Sequence, residues 1–169
     1  MLSAIALSAV IVISPPVTTS TIPRIRPLSD GARQVVEEAA RRSPTIARLL
    51  RIIEQSDAIV YVQLQFDLRG EGATSLMAVN GQCRFIRVAI GRTLTGYRRI
   101  EILGHELQHA VEIILAPEVR DSSSLRRLFS RIGWLLTDVS FESGEAIDVE
   151  RRVRFELRPA LAQSKRQKS

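Results

Sequence analysis

Apolar residues recur along the chain with two periods, and the switches between them divide it into elements. Val35, Val36 and Ala39 give a helical stripe over 30–42, capped by Ser29 or Asp30. Ser43-Pro44 restarts a second helix with Ile46, Leu49, Leu50 and Ile53 on one face. The period then drops to two. Val60, Val62, Leu64 and Phe66 alternate with polar neighbours, which is the pattern of a half-buried strand. Thr74–Val79 reads as a second strand. Asn80-Gly81 is a hairpin signal, and Cys83–Ile90 is a third strand with Ile86, Val88 and Ile90 on one face. Helical period returns after Thr95 and runs to about Leu115, before Ala116-Pro117. Further helices are expected over 124–132 and 141–157, the last capped by Ser140. The pattern predicts an α+β fold: a small three-stranded antiparallel sheet packed with about five helices.

The ends differ from this domain. Ala4–Ile13 is an uncharged apolar run followed by Ser14-Pro15-Pro16, the length of a signal-peptide core and short for a membrane span. No Lys or Arg precedes it, yet an export leader over 1–20 remains the favoured reading, with a Pro/Arg linker over 21–28. Residues 29–158 then form one domain, and 159–169 a basic disordered tail. The expected location is periplasmic or extracellular, with no stable membrane span once the leader is removed.

Composition changes this picture little. The chain of 169 residues is 45% hydrophobic and 25% charged, as in ordinary globular proteins. Its net charge of +6 comes almost wholly from arginine, scattered among glutamates rather than gathered in a patch. No nucleic-acid motif or aromatic platform accompanies it, so nucleic acid is not an expected partner and most arginines read as solvated. The single cysteine, Cys83, excludes an intrachain disulfide and reads as a packed thiol.

The chemistry lies on the long helix. Ile100, Leu103, Leu107, Val111 and Ile114 form its apolar stripe. His105-Glu106-Leu107-Gln108-His109, roughly opposite, uses both histidines in the chain. Residues four apart stack on one helix face, so His105 and His109 reach one zinc ion while Glu106 serves as general base on its water. A catalytic zinc site needs a third protein ligand and an open position. With no further histidine, that ligand should be a carboxylate. Glu112 shares the helix, but three ligands along one straight helix converge poorly. Glu142 and Glu145 open the expected last helix, where Glu142 joins Ala146, Val149, Val153 and Leu157 on one stripe. A carboxylate on a buried stripe is costly unless paired or metal-bound, which favours Glu142 and leaves Glu145 and Glu112 as alternatives.

His105-Glu106-Leu107-Gln108-His109 with a later glutamate resembles the gluzincin metallopeptidases, and 32 residues separate His109 from Glu142. Leu103–Glu112, Ala116-Pro117-Glu118-Val119 and Phe141-Glu142-Ser143 resemble, across roughly 25–157, a family of small, uncharacterised, exported bacterial proteins. The resemblance implies a zincin-like core around a central H-E-x-x-H helix, zinc held by His105, His109 and Glu142, and a peptide or protein substrate. In zincins a strand near the active helix binds substrate as an added strand, and Cys83–Ile90 is the matching candidate. One departure is that Ala146 stands four residues after Glu142, where the best-known gluzincins carry Asn-Glu-x-x-Ser-Asp. Asp148 or Glu112 is left to orient a histidine. Tyr97, Tyr61 and Arg98 are the candidates for oxyanion stabilisation. The competing reading is a non-catalytic metal-binding or interaction module on the same scaffold.

Overall fold

Capping and periodicity set the first two helices where the sequence places them. In the computed structural model, which describes residues 23–137 and 140–158, Ser29 Oγ accepts the Ala32 N–H and starts α1 (Asp30–Arg42). Ser43 Oγ accepts the Ile46 N–H and starts α2 (Pro44–Glu54), with Pro44 in its first turn. The expected leader over 1–20 and tail over 159–169 lie outside the described residues. No helix among the described residues is long and apolar enough to cross a membrane.

The sheet departs from the expected antiparallel meander. Strands β1 (Ile25–Pro27), β2 (Ala58–Gln65), β3 (Gly72–Asn80) and β4 (Cys83–Gly91) lie in the order β1-β2-β4-β3. β1–β2 and β2–β4 are parallel, and only the β3–β4 hairpin is antiparallel. Period two reports which residues face the core, not which way the neighbouring strand runs. Val60 and Val62 of β2 sit beside Ile86 and Val88 of β4, all fully buried. β1 falls inside the expected linker; its Pro27 is tolerated because the strand is at the sheet edge. Because β4 is paired on both sides, it cannot receive an added strand. The edge next to it belongs to β3.

Helix α3 (Gly96–Ile114) packs against this sheet and against α2 and α5, and is buried on every side from Ile100 to Ile114. Its end is held by an arginine that is not solvated. Arg84, 2% exposed, makes a two-pronged contact with Asp57 at 2.6 and 2.9 Å. It also donates to the carbonyls of Ile113, Ile114 and Ala116 at 2.7–2.9 Å. The Ile113 and Ala116 oxygens also accept the Ala116 and Val119 N–H groups, so Arg84 supplements the turn that closes the helix end.

α4 (Ser122–Ile132) begins with a capping box between Asp121 and Ser124. The chain then forms a second sheet instead of a loop and a helix: β5 (Gly133–Thr137) pairs antiparallel with β6 (Ser140–Ser143). Gly133 permits this, since a Cβ there would lie 1.9 Å from the Glu142 carbonyl oxygen. The last helix, α5, therefore spans Gly144–Glu156 with Ser143 as its cap, not 141–157 with Ser140. Glu142 sits on a strand rather than on the helical stripe. The fold is thus mixed α+β, with five helices, a four-stranded mixed sheet and a two-stranded one among the described residues.

Candidate metal centre

His105 and His109 project from consecutive turns of α3, with ring centroids 4.9 Å apart and planes nearly perpendicular. Glu142 reaches them from β6. Its Oε1 lies 3.4 Å from His105 Nε2 and 3.5 Å from His109 Nε2, and one ligand atom from each of the three residues falls within 4.8 Å of the others. Ligands about 2.0–2.1 Å from a tetrahedral ion stand about 3.3–3.4 Å apart, so these separations suit a metal. Glu145 does not take part; it is exposed and paired with Arg152 at 2.8 Å.

Each histidine meets a second carboxylate on its other nitrogen. His109 Nδ1 donates to Glu112 Oε2 at 2.8 Å, and Glu112 Oε1 accepts from Ser143 Oγ at 2.6 Å. Glu112 accordingly orients a histidine, as the sequence allowed. His105 Nδ1 is 3.3 Å from Glu150 Oε2 of α5 but lacks hydrogen-bond geometry. Asp148, the other residue proposed to orient a histidine, is exposed and paired with Arg151 at 3.1 Å. With its Nδ1 proton committed to Glu112, neutral His109 turns a lone pair toward Glu142 Oε1. Two lone pairs facing across 3.5 Å need a cation or a proton between them. This is the best indication that the residues fit a metal.

Without a metal, the cluster holds protons in its place. Burial opposes the charged form of His109, but its hydrogen bonds to Glu112 and Glu142 outweigh that and raise it to about 9. Burial and the neighbouring His109 lower His105. Burial works against ionised Glu142, yet the His109 contact and the Ser143 N–H lower its pKa. Glu106 is pushed up to about 7, chiefly by burial, against the opposing pull of His109 and Thr74.

β3 supports Glu106. The Thr74 hydroxyl is shared between the Glu106 main-chain oxygen at 2.9 Å and Glu106 Oε2 at 2.8 Å. A Cβ on Gly72 would lie 2.4 Å from Glu106 Oε1, so only glycine leaves room for the carboxylate. These groups face a cleft of about 670 Å³, floored by His105, Glu106 and His109, with β3 on one wall and the β5–β6 hairpin on the other. Gly72, Thr74 and Glu150 were not singled out from sequence. Glu150 had a signal, standing four residues after buried Ala146 on α5; Gly72 and Thr74 had none before the edge strand was known.

The three proposed oxyanion partners fall elsewhere or are occupied. The Tyr97 and Tyr61 hydroxyls contact Arg42 and Arg26. Arg98 lines the cleft, but its donors go to Glu71, Glu101 and Glu150. Cys83 is partly buried and free, with the Arg24 guanidinium 4.0 Å from its sulfur. No protein-family model, curated protein or solved structure matches the chain.

Proposed function

We propose that this chain is a zinc-dependent peptidase with a zincin-like core, holding zinc through His105, His109 and Glu142. The observation that carries the reading is the convergence of these three residues beside Glu106 in an open cleft. Two imidazoles and a carboxylate suit zinc among the available divalent metals. When bound, zinc would supply a Lewis acid that acidifies a water molecule and polarises a carbonyl. Glu112 sets the His109 ring, and Glu150 stands beside His105 without bonding it. Thr74 fixes one oxygen of Glu106, which takes a proton from the water and passes it to the leaving amine. The free edge of β3 can pair with an extended peptide laid over Glu106. In this reading β3 takes the role that resemblance assigned to Cys83–Ile90.

The test is metal analysis with peptide cleavage. Mildly purified protein should carry about one zinc per chain, and Glu106→Gln should keep zinc and lose cleavage. Protein without zinc under those conditions would refute the reading. One observation favours a non-catalytic metal module: the proposed oxyanion donors are distant or tied up in ion pairs. That alternative predicts full zinc occupancy with no cleavage of any peptide.

A further inference from the structure

The two ends of the cleft differ in chemistry. Beyond His105 stand Arg98, Glu71 and Glu150, joined by direct ion pairs that also draw in Arg154. Beyond His109 the lining turns apolar. Phe129 packs edge-on to His109, with centroids 5.5 Å apart, and stacks on Phe141 at 4.8 Å. Ile113 backs them from α3, and Leu136 of β5 closes the wall with 58% of its surface exposed. An exposed leucine beside a stacked aromatic pair is a surface that an apolar side chain would cover.

The topology gives this end a direction. Arg84, near the start of β4, binds carbonyls at the end of α3, so α3 runs back along β4. β3 is antiparallel to β4, and therefore runs with α3. Glu71 meets Arg98 near their starts, and Thr74 meets Glu106 further along. A peptide that adds to the β3 edge in the more stable antiparallel sense runs against α3. Its N-terminal part lies at the His109 end and its C-terminal part at the Arg98 end.

We propose that the Phe129–Phe141–Leu136 end receives a bulky aliphatic or aromatic side chain on the N-terminal side of the scissile bond. The substrates are then peptides with residues such as Phe, Leu or Tyr there. This rests on the peptidase reading above. The same hairpin supplies both Glu142 and the apolar wall, so one element sets metal binding and side-chain selection.

The test uses full-length, zinc-loaded protein and a mixed peptide library, with cut sites read by mass spectrometry and Glu106→Gln as control. Apolar residues should be enriched about tenfold or more directly N-terminal to the cut. Leu136→Asp should remove that enrichment without changing zinc content. Cleavage with no such enrichment, or with enrichment only C-terminal to the cut, overturns the subsite and leaves the peptidase reading standing. Binding gives a readout independent of turnover. The single tryptophan, Trp134 on β5, reports N-acetyl-phenylalanine amide added to zinc-loaded and metal-free protein. Saturable binding about tenfold tighter than that of N-acetyl-lysine amide, lost in Leu136→Asp, supports the subsite even if nothing is cut; the peptidase reading alone then fails. Equal binding of the two amides, or none, overturns the subsite.

Discussion

Replacing Arg84 with alanine should unseat the end of α3, the helix that carries His105 and His109. The guanidinium is 2% exposed and serves Asp57 and three carbonyls at once. Its loss leaves the Asp57 carboxylate, about one-third exposed, without its partner. It also takes a donor from the Ile114 oxygen, while the Ile113 and Ala116 oxygens keep the Ala116 and Val119 N–H groups. Breaking a fully buried pair costs about 3–5 kcal/mol; Asp57 keeps part of its water, which lowers that figure, and the Ile114 carbonyl left without its donor adds about 1–3 kcal/mol, so the total stays at about 4 kcal/mol. A fold of about 130 residues has an unfolding entropy near 0.27 kcal/mol/K, so a loss of about 4 kcal/mol lowers Tm by about 15 °C. Lysine should recover only part of this, since an ammonium cannot match the planar fork on Asp57 and still reach three carbonyls. Circular-dichroism melts of Arg84→Ala, Asp57→Ala and the double variant measure the coupling. If the contact network is the cause, Arg84→Ala costs less when Asp57 is already absent. A drop of less than about 3 °C for Arg84→Ala, or full additivity in the double variant, would refute the reasoning.

Other variants probe the centre itself. Glu142→Gln should lower zinc affinity, while Glu145→Gln should not; competition with a chromophoric chelator separates them. Glu112→Ala, which frees the His109 ring, should weaken zinc about 10–100-fold in the same titration. Gly72→Ala should displace Glu106 and depress cleavage while zinc content stays near one, and unchanged turnover would contradict the packing over Gly72. In metal-free protein, the raised His109 pKa adds stability that is complete below about pH 6.5 and lost as pH rises through about 9. The Tm should therefore fall between pH 7 and 9, and Glu112→Gln should flatten that slope; a wild-type Tm that holds level or climbs would count against the His109–Glu112 pairing.

The helices were legible because caps and a 3.6-residue period are local properties. Ser29, Ser43 and the α3 stripe needed no tertiary information. Strand direction was not local. Val60 and Ile86 announced a buried face, but nothing in either strand states that they run in parallel. β1 was hidden by Arg26 and Pro27, acceptable on an edge strand and indistinguishable from a linker. Glu142 is the expected third ligand on the premise of a helical stripe, whereas it reaches the histidines from a strand. Arg84 could have been read as buried, since it shares the parity of Ile86, Val88 and Ile90. The scatter of arginines along the chain masked it.

The three candidate ligands are unequally anchored. Two stand on a helix enclosed on every side, and the third on a two-stranded ribbon outside the main sheet. Helix α3 cannot move without disturbing the whole core, whereas opening the ribbon breaks chiefly the Phe141–Phe129 stacking and the Ser143–Glu112 hydrogen bond. Ion exchange would then follow the ribbon's opening frequency, not the breathing of the whole domain. The residence time of a bound ion becomes a clock for a piece of structure fewer than a dozen residues long. A chelator would expose that ribbon to proteases while the rest of the fold stays closed.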